Sequence, residues 1–219
     1  LIEIKNKDLF IAGGFIKIVY DATTFEFEEK KYLPGVRGII NIYDSVTNTI
    51  LAGTGFGGGG SPSFGSFFIQ RPDGKFLMVK SNTQNTTRIY NPITDTNVEG
   101  PTLIDTANTG SHSLLRPDGK FLIVEANSTA STSVYDPIAN TMATGTPLTV
   151  AAGAGAFSIQ RPDGKFLIIH GNNNASTSLY DPISFAMLSG PTTTANVFNG
   201  GHALQRPDGK FLIVHGNST

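Results

Sequence analysis

Arg71-Pro72-Asp73-Gly74-Lys75-Phe76 recurs as the same six residues from Arg116, Arg161 and Arg206, so each step is 45 residues. Other residues keep phase with it. Asn82, Asn127, Asn172 and Asn217 follow the hexapeptide. Next come Tyr90, Tyr135 and Tyr180, each with Asn or Asp and then Pro behind it, and Gly100, Gly145 and Gly190 close the units. A fixed period of this length marks a repeat architecture, in which each unit buries its apolar faces against its neighbours.

Each unit reads as four short strands. The first runs from Ser66 to Gln70, and Asp73-Gly74 supplies a two-residue turn with φ > 0 at its centre. Phe76 to Val79 is the second strand, followed by a loop of Asn, Ser and Thr. Arg88 to Tyr90 belongs to the third, which Asn91-Pro92 ends because proline cannot donate to a ladder. A weaker fourth strand stops at Gly100-Pro101. Phe121-Leu122-Ile123-Val124 is apolar on both faces, as in a strand covered on both sides. These features predict an all-β chain, a β-propeller of four-stranded antiparallel blades of about 45 residues. The competing arrangement, a linear β-solenoid, has shorter repeats.

Asp118-Gly119-Lys120-Phe121-Leu122-Ile123-Val124, a small-residue pair and then Tyr135-Asp136-Pro137 resemble the kelch-type blade, including those of the galactose-oxidase propeller. Asp8 to Gly14 carries that family's Gly13-Gly14 doublet, Tyr20-Asp21 follows, and Phe27 stands where the family has a bulky aromatic. The clear repeats depart from the pattern. Ser81-Asn82, Ala126-Asn127, Gly171-Asn172 and Gly216-Asn217 replace the doublet, and Met142 and Met187 replace the aromatic. The resemblance implies a fold. It carries over no catalytic residue, since the galactose-oxidase copper site needs a Cys-crosslinked Tyr and this chain has no Cys.

Tyr43-Asp44 and Gly53 are in phase with the later units. The expected organisation is therefore a repeat propeller over residues 37–219, with units 57–101, 102–146, 147–191 and 192–219, the last completed by 38–56. Residues 1–36 form a degenerate blade or an appended sheet. Four or five blades result, and strand-sharing closure removes exposed edges. Only 23 residues separate Tyr20 from Tyr43, so half a unit is missing between them. The chain starts at Leu1 without a signal-peptide pattern, which leaves a removed leader or a longer parent chain.

With 15% charged residues and a net charge of -1, the chain has no basic footprint for nucleic acid or an anionic membrane. No apolar run reaches the roughly 20 residues of a membrane span. The absence of cysteine excludes disulfides, thiolate catalysis and Cys-ligated metals. Polar residues rich in Thr, Ser, Asn and Gly are associated with extracellular, cell-surface or viral-surface β-proteins. The Gly57–Gly60 run lacks the Lys-Ser/Thr of a phosphate loop and reads as an interblade loop.

Near-identical repeats make their differences informative. A two-residue turn sets Phe67 opposite Lys80, His112 opposite Glu125, Phe157 opposite His170 and His202 opposite His215. Directly opposed side chains interact. All eight fall near one rim, close to the axis, and form the candidate ligand-binding set. His170, His202 and His215 are candidate metal ligands, since imidazole suits zinc, copper or nickel. His112 with Glu125 is a candidate acid–base pair. The arginines of the hexapeptide read as turn-stabilising.

No residue set requires a cofactor, and no catalytic constellation stands out. The expected function is a non-enzymatic, secreted or surface-exposed scaffold that binds a protein or glycan partner or assembles with itself. The alternatives are a carbohydrate-binding propeller and a metalloprotein or enzyme using the His-rich rim. Fold by itself does not supply function.

Overall fold

The computed structural model of the chain describes residues 9–12, 15–18, 41–53, 65–81 and 84–217. Gly13-Gly14, Tyr20-Asp21, Phe27, Arg37, the Gly57–Gly60 run and Asn82 lie outside the described residues. The described part is all-β. No helix in it is long and apolar enough to cross a membrane.

Three repeat units fold into four-stranded antiparallel sheets whose strands follow chain order from one edge to the other. The first of these holds β5 (Phe67–Gln70), β6 (Phe76–Val79), β7 (Thr87–Asn91) and β8 (Thr96–Glu99). The next holds β9 (His112–Leu115), β10 (Phe121–Val124), β11 (Thr132–Asp136) and β12 (Thr141–Thr144). The third holds β13 (Phe157–Gln160), β14 (Phe166–Ile169), β15 (Thr177–Tyr180) and β16 (Met187–Ser189). After them β17 (His202–Gln205) and β18 (Phe211–Val214) make a two-stranded sheet.

The N-terminal sheet corrects the expected organisation. It contains β1 (Leu9–Ala12), β2 (Phe15–Ile18), β3 (Asn41–Asp44) and β4 (Thr49–Ala52), in the order β2-β1-β3-β4. Residues 38–56 were expected to complete the 192–219 unit. Instead β3 pairs with β1, Phe10 opposite Ile42. A strand copy nearby in sequence supplies the second-strand position, at a lower loop-closure cost than the far end of the chain. Residues 9–12 and 15–18 thus belong to the same sheet as 41–52, not to a blade of their own.

The turn chemistry produces a second correction. Gly74 N–H donates to Arg71 O at 3.1 Å, and Arg71 N–H to Lys75 O at 2.8 Å. Pro72 takes the second position of a type I turn, where its fixed φ fits, and Gly74 follows with φ 78°. The loop therefore has three residues, Pro72-Asp73-Gly74, and ends in a bulge. The same bonds recur at Arg116, Arg161 and Arg206. Register moves by one residue, to Phe67 opposite Val79 and His112 opposite Val124.

Successive sheets pack face to face. Ile123 faces the preceding sheet, in a cluster with Ile69, Leu77, Val79 and Tyr135. Its neighbour Val124 faces the following sheet, in a cluster with Leu122, Phe166, Ile168 and Tyr180. This is why the strands are apolar on both faces. β13 lies beside both β9 and β17, which makes the first strands the inner edge of the stack. Tight turns lead into these strands, as at Asn108–Ser111, where Ser111 N–H donates to Asn108 O at 2.9 Å. The face of β17 and β18 pointing away from the stack leaves Leu204, Leu212 and Val214 exposed.

Candidate functional site

The shifted register divides the eight predicted rim residues into two rows. Phe67, His112, Phe157 and His202 start the first strands; the first three face the next sheet, and His202 lies on the open face of its hairpin with Val214. Their actual partners are Val79, Val124, Ile169 and Val214. Lys80, Glu125, His170 and His215 lie one residue further along and face the preceding sheet. None of the four expected cross-strand pairs forms, because a one-residue slip sends a side chain to the opposite face. The proposed His112–Glu125 acid–base pair is therefore not assembled.

In the first row, Phe67 and Phe157 join the apolar clusters between sheets. His112 bridges two sheets. Its Nδ1 lies 2.8 Å from Gly110 O and its Nε2 lies 2.6 Å from Ser158 Oγ. A carbonyl only accepts, so Nδ1 carries the proton and Ser158 donates to Nε2. Burial pushes the His112 pKa below its ordinary value, opposed by the Gly110 hydrogen bond, which favours the charged ring. His202 repeats the first contact, at 3.0 Å from Gly200 O, with an exposed ring.

The second row is largely interior. Lys80, Glu125 and His170 are 1%, 0% and 0% exposed, so none offers a surface to a ligand from outside. Burial, and then the nearby Arg88 charge, lower the Lys80 pKa. Burial raises that of Glu125, whose Oε1 accepts from Ser133 Oγ and from Asp105 N–H. His170 Nε2 meets Ser178 Oγ at 2.8 Å, while Nδ1 is buried without a partner. His170 and His202 thus stand in different rows, and His202 and His215 point to opposite faces of their hairpin. Among the described residues no group of three or more His, Cys, Asp or Glu side chains is placed to hold a metal. The proposed three-histidine ligand set does not converge.

Burial alone lowers the His170 pKa from 6.5 to about 4. As pH falls the unfolded chain takes up this proton first. Stability from His170 is therefore complete above pH 6.5 and is lost towards pH 4, by at most about 3 kcal/mol. Glu125, with its raised pKa, acts in the opposite sense. Urea midpoints measured from pH 7 to 4 are expected to fall less steeply in His170→Gln than in the unaltered chain. Equal slopes would contradict the burial of a neutral imidazole.

Sequence reasoning missed the partners Ser133, Ser158 and Ser178, and the long reach of the hexapeptide arginine. Arg71 holds Asp73 at 3.1 Å within its own turn. It also donates to the Tyr135 hydroxyl and, at 2.7 Å, to Asn140 Oδ1 of the next unit. Arg116 pairs with Asp118 at 2.7 Å and stacks 3.8 Å from the Phe185 ring centre. These arginines fasten one sheet to the next. The available signal was the constant offset from each Arg to the Tyr of the following unit.

A sheet stack of this kind defines a propeller-type fold. Its structure is similar to hydrazine synthase of Kuenenia stuttgartiensis, with a TM-score of 0.61 and 14% identity over 81% of this chain and 49% of that one. A second similar structure, YjhT, has a TM-score of 0.49 and 13% identity over 75% of this chain and 63% of that one. The chain thus spans about half the length of the hydrazine synthase chain. At this identity the likeness extends to fold alone. No protein-family model matches the chain, and no curated protein does.

Proposed function

We propose that this chain is a non-enzymatic scaffold, secreted or surface-exposed, that presents repeated side chains to a protein partner, including a second copy of itself. The observation that carries this reading is a phase-locked row of aliphatic residues in the turns between third and fourth strands. Val46, Ile93, Ile138 and Ile183 are 76%, 93%, 79% and 79% exposed. Their backbone N–H groups are held by Asp44, Asn91, Asp136 and Asp181 at 2.8, 3.0, 3.0 and 3.0 Å. The turn needs that backbone bond and makes no demand for an aliphatic side chain. One exposed isoleucine is ordinary. The same choice in successive units offers equally spaced apolar contacts, and linked weak contacts gain strength through effective concentration.

The fate of the blade-to-blade differences also supports a scaffold. His112 bridges two sheets, and Lys80, Glu125 and His170 are buried in the stack. Sedimentation at rising concentration, with the triple variant I93T/I138T/I183T beside the unaltered chain, tests the reading. Self-association that weakens at least tenfold in the variant is expected. Unaltered assembly in the variant, or a strict monomer throughout, would overturn it. Strong binding to a glycan array would favour the carbohydrate-binding alternative instead.

A further inference from the structure

In the three four-stranded repeat units a third strand pairs along the outer edge of the second. Phe76, Phe121 and Phe166 thereby stand opposite the tyrosine of that strand, Tyr90, Tyr135 and Tyr180. Phe211 holds the same position on β18. Among the described residues no strand pairs with that edge of β18. The edge reads Phe211-Leu212-Ile213-Val214, with none of the charges or prolines that keep a free edge from pairing.

The other junctions show what belongs there. Tyr135 is buried among Ile69, Leu77 and Val79 of the preceding sheet, and its hydroxyl accepts from Arg71. Tyr180 is buried in the cluster that holds Leu114 and Phe166. The residues in phase at the last junction are Ile159, Phe211 and Arg161. They line, with Ser158, Gln160 and Gln205, an open groove of about 470 Å3 between β13 and the hairpin. Arg161 pairs with Asp163 at 3.0 Å but is 43% exposed, whereas Arg71, beside its tyrosine, is 9% exposed. A second contact also repeats. Lys120 and Lys165 hold the Asp that follows the tyrosine, at 3.0 and 3.3 Å. Lys210 stands in their phase at the start of the free edge.

We infer that the free edge of β18 and the groove beside Arg161 take an extended polypeptide strand donated by a partner protein, with a tyrosine seated in the groove. Main-chain hydrogen bonds to the edge supply affinity, and the groove supplies selectivity. The repeat's own third strands define the chemistry. Thr87, Thr132 and Thr177 are each followed by a polar residue, an aliphatic one, Tyr, then Asn or Asp, and Pro. Set against β18, such a strand places its tyrosine opposite Phe211, its hydroxyl accepting from Arg161 and its Asp facing Lys210. A second copy of this chain is a poor donor. Its third strands β3, β7, β11 and β15 are already paired on both edges in their own sheets, so lending one would open a sheet.

The probe is a synthetic peptide of residues 175–190, which spans β15 and β16. Fluorescence anisotropy measures its binding to the full chain, and amide hydrogen exchange reports on β18. Saturable binding is expected, with exchange along Phe211–Val214 slowed at least tenfold. Tyr180→Ala in the peptide should weaken binding at least tenfold. Arg161→Gln in the chain, altered at a half-exposed side chain, should weaken the unaltered peptide about tenfold and a Tyr180→Phe peptide hardly at all, because the hydroxyl is already gone. No binding up to about 1 mM peptide would overturn the inference. So would equal binding of a scrambled peptide, or unchanged exchange on β18. A chain that self-associates without peptide, with exchange on β18 already slowed, would make a second copy the occupant and overturn it too. Peptide binding by a chain that sediments as a strict monomer would uphold this site while overturning the isoleucine reading, so the two fail separately.

Discussion

Leu122→Ala should lower the unfolding free energy by about 2–5 kcal/mol, the range for deleting a buried leucine side chain. The same substitution at Leu212 should cost well under about 1 kcal/mol, as at a surface site. The two leucines occupy one position of the repeat in identical surroundings of sequence, Lys-Phe-Leu-Ile-Val. Only packing separates them. Leu122 is 0% exposed between two sheets, whereas Leu212 is 53% exposed on the open face of the last hairpin. Urea unfolding of both variants measures the difference. Equal costs would mean that the two sites are covered alike.

Gly155→Ala is expected to destabilise the chain by about 3 kcal/mol or more, through backbone strain added to steric overlap. Gly155 has φ 83°, and a Cβ there would overlap the carbonyl oxygen of Phe198 and lie 2.5 Å from its carbon. Both atoms are backbone in the neighbouring turn, so relief requires two sheets to move apart. Gly164 provides the control. Its φ is 81°, but a Cβ would meet nothing within 4 Å. Gly164→Ala should cost only the left-handed backbone penalty, about 1–2 kcal/mol. Thermal or urea unfolding of both variants separates strain from contact. A mild Gly155→Ala would show that the inner-edge turns are not in close contact.

The repeat, the four strands of each unit and the doubly apolar strands were all legible in the sequence, because each rests on local chemistry repeated in phase. The candidate site was less legible, and one turn explains much of that. Asp73-Gly74 suggests a two-residue hairpin, but Pro72 has a fixed negative φ and favours the second position of a type I turn. Counting Pro72 into the loop adds one residue and reverses the face of Lys80, Glu125, His170 and His215. What looked like a row of ligand-facing groups is mostly interior, where Ser133 and Ser178 satisfy it.

The pairing of β3 was illegible for a different reason. Leu9 to Ala12 resembles a second strand, yet phase favoured the distant unit at 192–219. Periodicity gives the position of a strand within a blade but not which copy fills it. The exposed row at Ile93, Ile138 and Ile183 was present in the repeat throughout. It emerged only when solvent exposure distinguished those isoleucines from the buried ones in the strands.

The central claim is that each middle sheet is covered on both faces by different neighbours. Adjacent residues on β10 test it directly. Methyl-to-methyl NOE measurements should connect Ile123 with Leu77, Val79 or Ile69 of the preceding sheet, and Val124 with Ile168 of the following one. Contacts from both residues to a single neighbouring sheet, or from neither to any sheet but their own, would contradict the stack.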